Sequence, residues 1–115
     1  MSFLNKFFLN LNLIHKKKIS KKNYFSFSGV DIIIENIFRD KNHGFYLDVG
    51  CQHPIKNNNT YLLYKKGWNG INIDLDPDNI SLFNISRPKD DNINIAVSNK
   101  VGEADLYFYH KKSPI

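Results

Sequence analysis

The sequence predicts an α/β domain built on a parallel sheet, and three observations predict it. Helical and strand-like segments alternate along the chain from about residue 26. The strand-like segments are short apolar runs that end in an acid or a glycine, as buried parallel strands do. Between them lie helix starts and stops, the clearest being Asp76-Pro77 and Lys65-Lys66-Gly67. Such alternation favours a parallel sheet joined by right-handed crossovers.

At the N-terminus Phe3, Leu4, Phe7, Phe8, Leu11 and Ile14 recur at helical spacing. The run falls short of the roughly 20 apolar residues of a membrane span. Its lysines follow the apolar stretch instead of preceding it, and no small-residue cleavage site appears, so it does not read as a signal peptide. Residues 1–25 are therefore expected to form a basic amphipathic arm. The arm either lays its apolar stripe on the domain, or rests on a membrane surface with its lysines on anionic headgroups. The first arrangement is the expected one, because such stripes are more often core than anchor.

From Ser28 the signals become regular. Ser28 and Asp31 have the spacing of a capping box. They open a helix whose apolar face is Val30, Ile33, Ile34, Ile37 and Phe38 and which ends near Arg39. After the Asp40–Gly44 turn, Phe45–Val49 reads as a buried strand that runs into the loop Gly50–Asn59. Asn59 or Thr60 can cap the next helix, which carries Tyr61, Leu62, Leu63 and Tyr64. Lys65 and Lys66 suit its negative C-terminal end, and Gly67 supplies a left-handed stop. Trp68–Gly70 turns the chain and Ile71–Asp74 forms a second strand. Asp76 caps a further helix with Pro77 in its first turn and Ile80, Leu82, Phe83 and Ile85 on its buried side. Ile93–Val97 is predicted as a third strand. Alternation in Glu103–Tyr109 predicts a half-exposed fourth.

Charge distribution argues against a nucleic-acid surface. Residues 1–30 hold six lysines and no acid, whereas residues 31–115 sum to −1, so the net +5 belongs to the arm. A nucleic-acid footprint spreads its cations over the folded face with aromatics between them. The single cysteine, Cys51, excludes an intrachain disulfide framework and a multi-cysteine zinc site, and a reducing cytoplasm is the plain expectation. His15, His43, His53 and His110 show no metal-ligand spacing, so no metal is expected. Cys51 has no evident base beside it in the sequence and is expected to pack, not to attack. His53 before Pro54 reads as a loop-shaping residue, and Trp68 as a core position.

Two acids stand where chemistry is expected. Ligands of open parallel sheets sit beyond the carboxyl ends of the strands, and Asp48 and Asp74 lie at two such ends. Asp74 follows Gly50 by 24 residues, close to the separation of about 20 at which nucleotide-binding units place a carboxylate on ribose hydroxyls. The loop Asp48-Val49-Gly50-Cys51-Gln52-His53-Pro54 has one glycine and no Walker-type lysine motif. That suits a cofactor that carries no phosphate, with an acid available for an ammonium group.

The stretch 26–108, about three quarters of the chain, resembles the FkbM family of S-adenosylmethionine-dependent methyltransferases. The similarity runs through Ser26-Phe27-Ser28-Gly29-Val30-Asp31, Phe45-Tyr46-Leu47-Asp48-Val49-Gly50 and His53-Pro54. It continues in Asn59-Thr60-Tyr61-Leu62-Leu63-Tyr64-Lys65-Lys66-Gly67-Trp68, Gly70-Ile71-Asn72-Ile73-Asp74, Arg87-Pro88, Ala96-Val97-Ser98 and Gly102-Glu103-Ala104. The resemblance implies a Rossmann-like class I methyltransferase fold over residues 26–115, truncated after roughly the first four strands. It implies that Asp48 and Gly50 line the methionine end of S-adenosylmethionine, that Asp74 holds the ribose, and that Ala96 and Val97 lie against the adenine. It also implies methylation of an oxygen on a small molecule or sugar. Phe27 and Val30 stand where the family has glutamine and glutamate, and Gln52 where it has asparagine. The family's later Ile-Asp-Val-Glu-Gly-like segment does not occur here, so weak cofactor binding, little turnover and self-association through an open sheet edge are expected of this chain. No catalytic base is assigned.

Overall fold

The computed structural model describes residues 2–19 and 24–107. Its elements are α1 (Phe3–Ile19), α2 (Val30–Ile37), β1 (Phe45–Val49), α3 (Tyr61–Lys65), β2 (Asn69–Asp74), α4 (Pro77–Ser86) and β3 (Asp91–Asn94). The strands form one parallel sheet in the order β1-β2-β3, with Leu47 opposite Ile71 and Ile73 opposite Ile93. The molecule is thus an α/β domain in which α3 and α4 occupy the two crossovers, as the alternating pattern predicts.

The helix boundaries follow from local chemistry. Asp76 caps α4 by accepting from the Asp78 amide at 3.0 Å, and Pro77 occupies the first turn. Gly67, at φ 104°, ends the α3 segment. The predicted Ser28 cap of α2 is corrected: Gly29 is the N-cap residue, in a left-handed conformation with no side-chain cap bond. Asp31 instead accepts from Ser26 Oγ at 2.7 Å and from the Phe25 amide at 2.6 Å, and Ser26 Oγ accepts the Asp31 amide in return. The reciprocal bonding survives with a different serine, because the left-handed Gly29 folds the chain back one turn earlier. Lys66 also acts beyond its own helix, donating to Glu35 and to the carbonyls of Phe38 and Arg39 behind α2.

Three apolar clusters hold the helical layer to one face of the sheet. Tyr46, Leu63 and Trp68 pack with Ile34 and Phe38. Cys51, Ile80 and Phe83 form the second cluster, and Leu9, Leu13, Ile55 and Leu82 the third. A Cβ at Gly70 would run into the carbonyl and ring of Tyr46, so this parallel pairing requires glycine there. The α1 helix does lie on the domain, but on a different face from the expected one. Leu9 and Leu13 dock, whereas Phe3, Leu4, Phe7, Leu11 and Ile14 are exposed. The reason is geometric: His53 and Ile55 of the first loop meet the Leu9–Asn12–Leu13 side of the helix.

The C-terminal expectations also need correction. β3 is shorter and earlier than predicted, and residues 101–107 form no strand, with Val101 and Tyr107 fully or largely exposed. Alternation alone does not make a strand where no sheet edge receives its backbone and no apolar layer receives its side chains. Phe108 and Tyr109, the end of that predicted strand, lie outside the described residues, as do His110 and the lysines at 21 and 22.

The polarity of the sheet is inverted. Its helix-covered face carries Tyr46, Asp48, Asn72 and Asp74, whereas Phe45, Leu47 and Val49 point to the other face and are 61%, 62% and 54% exposed. Ile71, Ile73 and Ile93 continue that second face, and no described element covers it.

Candidate functional site

The ends of β1 and β2 meet a single turn. Gly50 adopts φ 73°, a conformation that costs a residue with a Cβ about 1–2 kcal/mol. In this conformation the amides of Gly50 and Cys51 both donate to the Ile73 carbonyl, at 2.8 and 3.1 Å. The turn is thereby stitched to β2 just before Asp74. The next amide, that of Gln52, donates to Asp74 Oδ2 at 2.8 Å. Gln52 also has positive φ, at 55°. Asp74 and Gly50, separated by most of a crossover in sequence, are therefore neighbours.

Asp74 is buried and well bonded. Its Oδ1 accepts from the Asp76 amide at 2.8 Å and from Asn79 Nδ2 at 3.2 Å, while among the described residues Oδ2 accepts from the Gln52 amide. A carboxylate offers about four acceptor positions, so one remains on Oδ2. Asp48 is half-buried at the end of β1 and accepts through Oδ2 from Thr60 Oγ1 at 3.0 Å and Asn58 Nδ2 at 3.5 Å. Burial raises its pKa above the ordinary carboxylate range, and the Thr60 bond and the nearby Arg87 charge oppose that rise. No atom of the described residues stands within 4 Å of the position a Cβ would take on Gly50, so the turn leaves open space there. Ala96 and Val97 are exposed in an irregular segment after β3. The preceding amide, Ile95 N–H, donates to the Asp74 carbonyl at 3.1 Å, which starts this segment beside the same strand end.

Arg87 is the residue that sequence reasoning quoted without giving it a role. It is fully buried at the C-cap of α4. Its guanidinium donates to Thr60 Oγ1 at 2.8 Å, Asn58 Oδ1 at 2.7 Å, the Pro54 carbonyl and the Tyr46 hydroxyl. The rings of Tyr61, Tyr64 and Phe83 surround it at 4.9–5.4 Å. Thr60 and Asn58, which Arg87 holds, are the two residues that donate to Asp48. Tyr46 passes the network on to Asp90, which also accepts from Gly70 and Asn72. The Arg-Pro dipeptide just past a helix was the available signal, but nothing in sequence reports that this arginine turns inward.

The remaining candidates take structural places. His53 Nδ1 accepts the amides of Ile55 and Lys56, each at 3.0 Å, and Nε2 meets Asn12 Oδ1 at 3.2 Å. Burial, with Lys16, Lys56 and Arg87 adding like charge, pushes its pKa down to about 4. The ring is thus neutral at physiological pH, with its acceptor nitrogen already used. The Cys51 thiol is pushed up to about 12, first by burial and then by the charges of Asp48 and Asp74, which excludes a resting thiolate. Among the described residues no group of three or more His, Cys, Asp or Glu is placed to hold a metal ion. An open cleft of about 730 Å³ lies among Leu13, Ile55, Tyr61, Tyr64, Trp68 and Lys89, and neither Asp48, Gly50 nor Asp74 lines it.

No helix among the described residues is long and apolar enough to cross a membrane. Searches of protein-family models, curated proteins and solved structures returned no match to the chain.

Proposed function

We propose that this chain is the cofactor-binding part of an S-adenosylmethionine-dependent methyltransferase of the Rossmann-like class. One observation carries the reading: a carboxylate, Asp74, is held against the glycine turn Gly50–Gln52 at the carboxyl ends of adjacent parallel strands. The residues present fit the cofactor. The free Oδ2 position of Asp74 suits a ribose hydroxyl, the missing Cβ of Gly50 leaves room beside it, and the Asp48 oxygen not bonded to Thr60 and Asn58 suits the ammonium of the methionine tail. Ala96 and Val97 are the residues proposed for the adenine side.

When bound, the cofactor supplies a sulfonium methyl group for transfer to an oxygen of a small-molecule or carbohydrate acceptor. The chain's own contribution is to bind and orient, the main lever of such transfers. Asp48 and Asp74 neutralise and position, and the Arg87 network fixes Asp48. A reducing, cytoplasmic setting accords with the buried free thiol of Cys51.

A calorimetric titration with S-adenosylhomocysteine tests the reading. The parent chain is expected to give a weak, saturable heat, and Asp74→Asn to bind at least about tenfold more weakly while keeping its helical circular dichroism. Absence of any saturable heat in the parent, or equal affinity in the variant, would overturn the assignment.

A second reading, a partner module completed by another polypeptide or a second copy, is favoured by the apolar face formed by Phe45, Leu47, Val49 and Ile93. Parallel sheets are nearly always covered on both faces. The two readings are compatible, since this apolar face is opposite the one that carries Asp48 and Asp74.

A further inference from the structure

We infer that the outward face of α1 docks the protein on an anionic lipid bilayer. The helix has two apolar sides. With about 100° between successive residues, Phe3, Leu4, Phe7, Leu11 and Ile14 fall within one arc of about 100°, and Leu9 and Leu13 lie opposite. The Leu9–Leu13 side is used, packed on Ile55 and Leu82, and Asn12 is bonded to His53. No described residue covers the other side: Phe3 is 88% and Ile14 62% exposed, with Leu4, Phe7 and Leu11 between them also exposed. Docking by Leu9 and Leu13 therefore holds α1 flat on the domain and presents a large apolar stripe outward.

Charge selects the occupant. Lys6 is exposed between the docked side and the stripe, Lys16, Lys17 and Lys18 follow in the last turn, and residues 1–30 contain no acid. A protein partner of ordinary composition has no need of so one-sided a field. A bilayer with anionic headgroups matches both parts, taking the aromatic and aliphatic side chains at the acyl boundary and the ammonium groups at the phosphate level. The helix is too short and too basic to cross, so the attachment is interfacial and reversible. It would place the Gly50–Asp74 crevice near a membrane surface without involving either residue.

Co-sedimentation of the full chain with phosphatidylcholine vesicles, with and without phosphatidylserine, tests this. The parent is expected to partition at least about tenfold more strongly onto the phosphatidylserine vesicles. Phe7→Ser with Leu11→Ser, and separately Lys6→Gln with Lys17→Gln and Lys18→Gln, should each abolish that preference. Phe7 and Leu11 lie off the docking side and Lys6 is exposed, and an unchanged melting temperature confirms the fold of each variant. No binding to anionic vesicles would overturn the inference. So would full binding by the Phe7/Leu11 variant, which would implicate the bare sheet face. Concentration-dependent dimerisation that those two substitutions remove, without vesicle binding, would also overturn it and assign the stripe to a second copy.

Discussion

Asp48 and His53 sit a few residues apart and respond to pH in opposite senses. Burial raises the Asp48 carboxyl, so its contribution to stability is fully present below the ordinary carboxylate pKa and is lost as pH rises through the raised value. Burial lowers His53 from 6.5 to about 4, so its contribution is present above 6.5 and is lost as pH falls through about 4. Acidification from neutrality therefore meets the histidine first. The expected result is a melting temperature that falls between about pH 6.5 and pH 4, measured by circular dichroism. His53→Asn keeps an acceptor for the Ile55 and Lys56 amides in an Asx-type turn, and should flatten that slope. An unchanged slope would show that the His53 ring is not the group being titrated. The same burial explains why Asp48 suits a cationic ligand: an ammonium partner restores the charged form that the fold disfavours.

Among the elements, the connection from β1 to α3 is ordered by a residue contributed from elsewhere. Arg87, at the end of α4, reaches Pro54, Asn58 and Thr60 and so fixes the long loop after Gly50. Lysine cannot reproduce that fork. Arg87→Lys is expected to cost about 3 kcal/mol in chemical denaturation, and to weaken any ligand held by Asp48 through loss of its Thr60 and Asn58 positioning. A loss below about 1 kcal/mol would mean that the network is not what holds the loop. Legibility in sequence follows the range of the interaction. Asp76-Pro77 and Gly67 were readable because caps and stops act within one turn. The strand runs Phe45–Val49 and Ile71–Asp74 were readable from their β-favouring residues bounded by glycine turns, but the burial expected of Phe45–Val49 was not met, since Phe45, Leu47 and Val49 are exposed. The docking side of α1 was not readable, since both of its faces are apolar and the choice rests on His53 and Ile55, some 40 residues away. Nor was the Ser26–Asp31 pairing, because Gly29 changed the chain direction between a plausible cap and its helix. Asp48 and Asp74 were legible as strand-end acids, while the approach of the Gln52 amide to Asp74 follows from a turn in which Gly50 has positive φ.

At the scale of the molecule, the polar side chains of the sheet face the helices and the apolar ones face outward. Networks accommodate most of these buried polar groups: Asp90 takes Tyr46, Gly70 and Asn72, and Asp74 takes Gln52, Asp76 and Asn79, while Asn72 Oδ1 and Arg87 Nε find no partner among the described residues. The outward face has no such compensation, and it marks the side on which a second layer would add most stability. The stripe of α1 is a separate surface, carried by the helical layer. The crevice at the carboxyl ends of β1 and β2 involves residues of neither surface, and its ligand decides the function. The most direct measurement is a backbone amide shift map of the labelled chain titrated with S-adenosylhomocysteine. Saturable shifts concentrated at Gly50, Cys51, Gln52, Asp74 and Leu75, with further shifts at Ala96 and Val97, are the predicted result. Shifts confined to the cleft around Tyr61 and Tyr64, or none at saturating ligand, would contradict it.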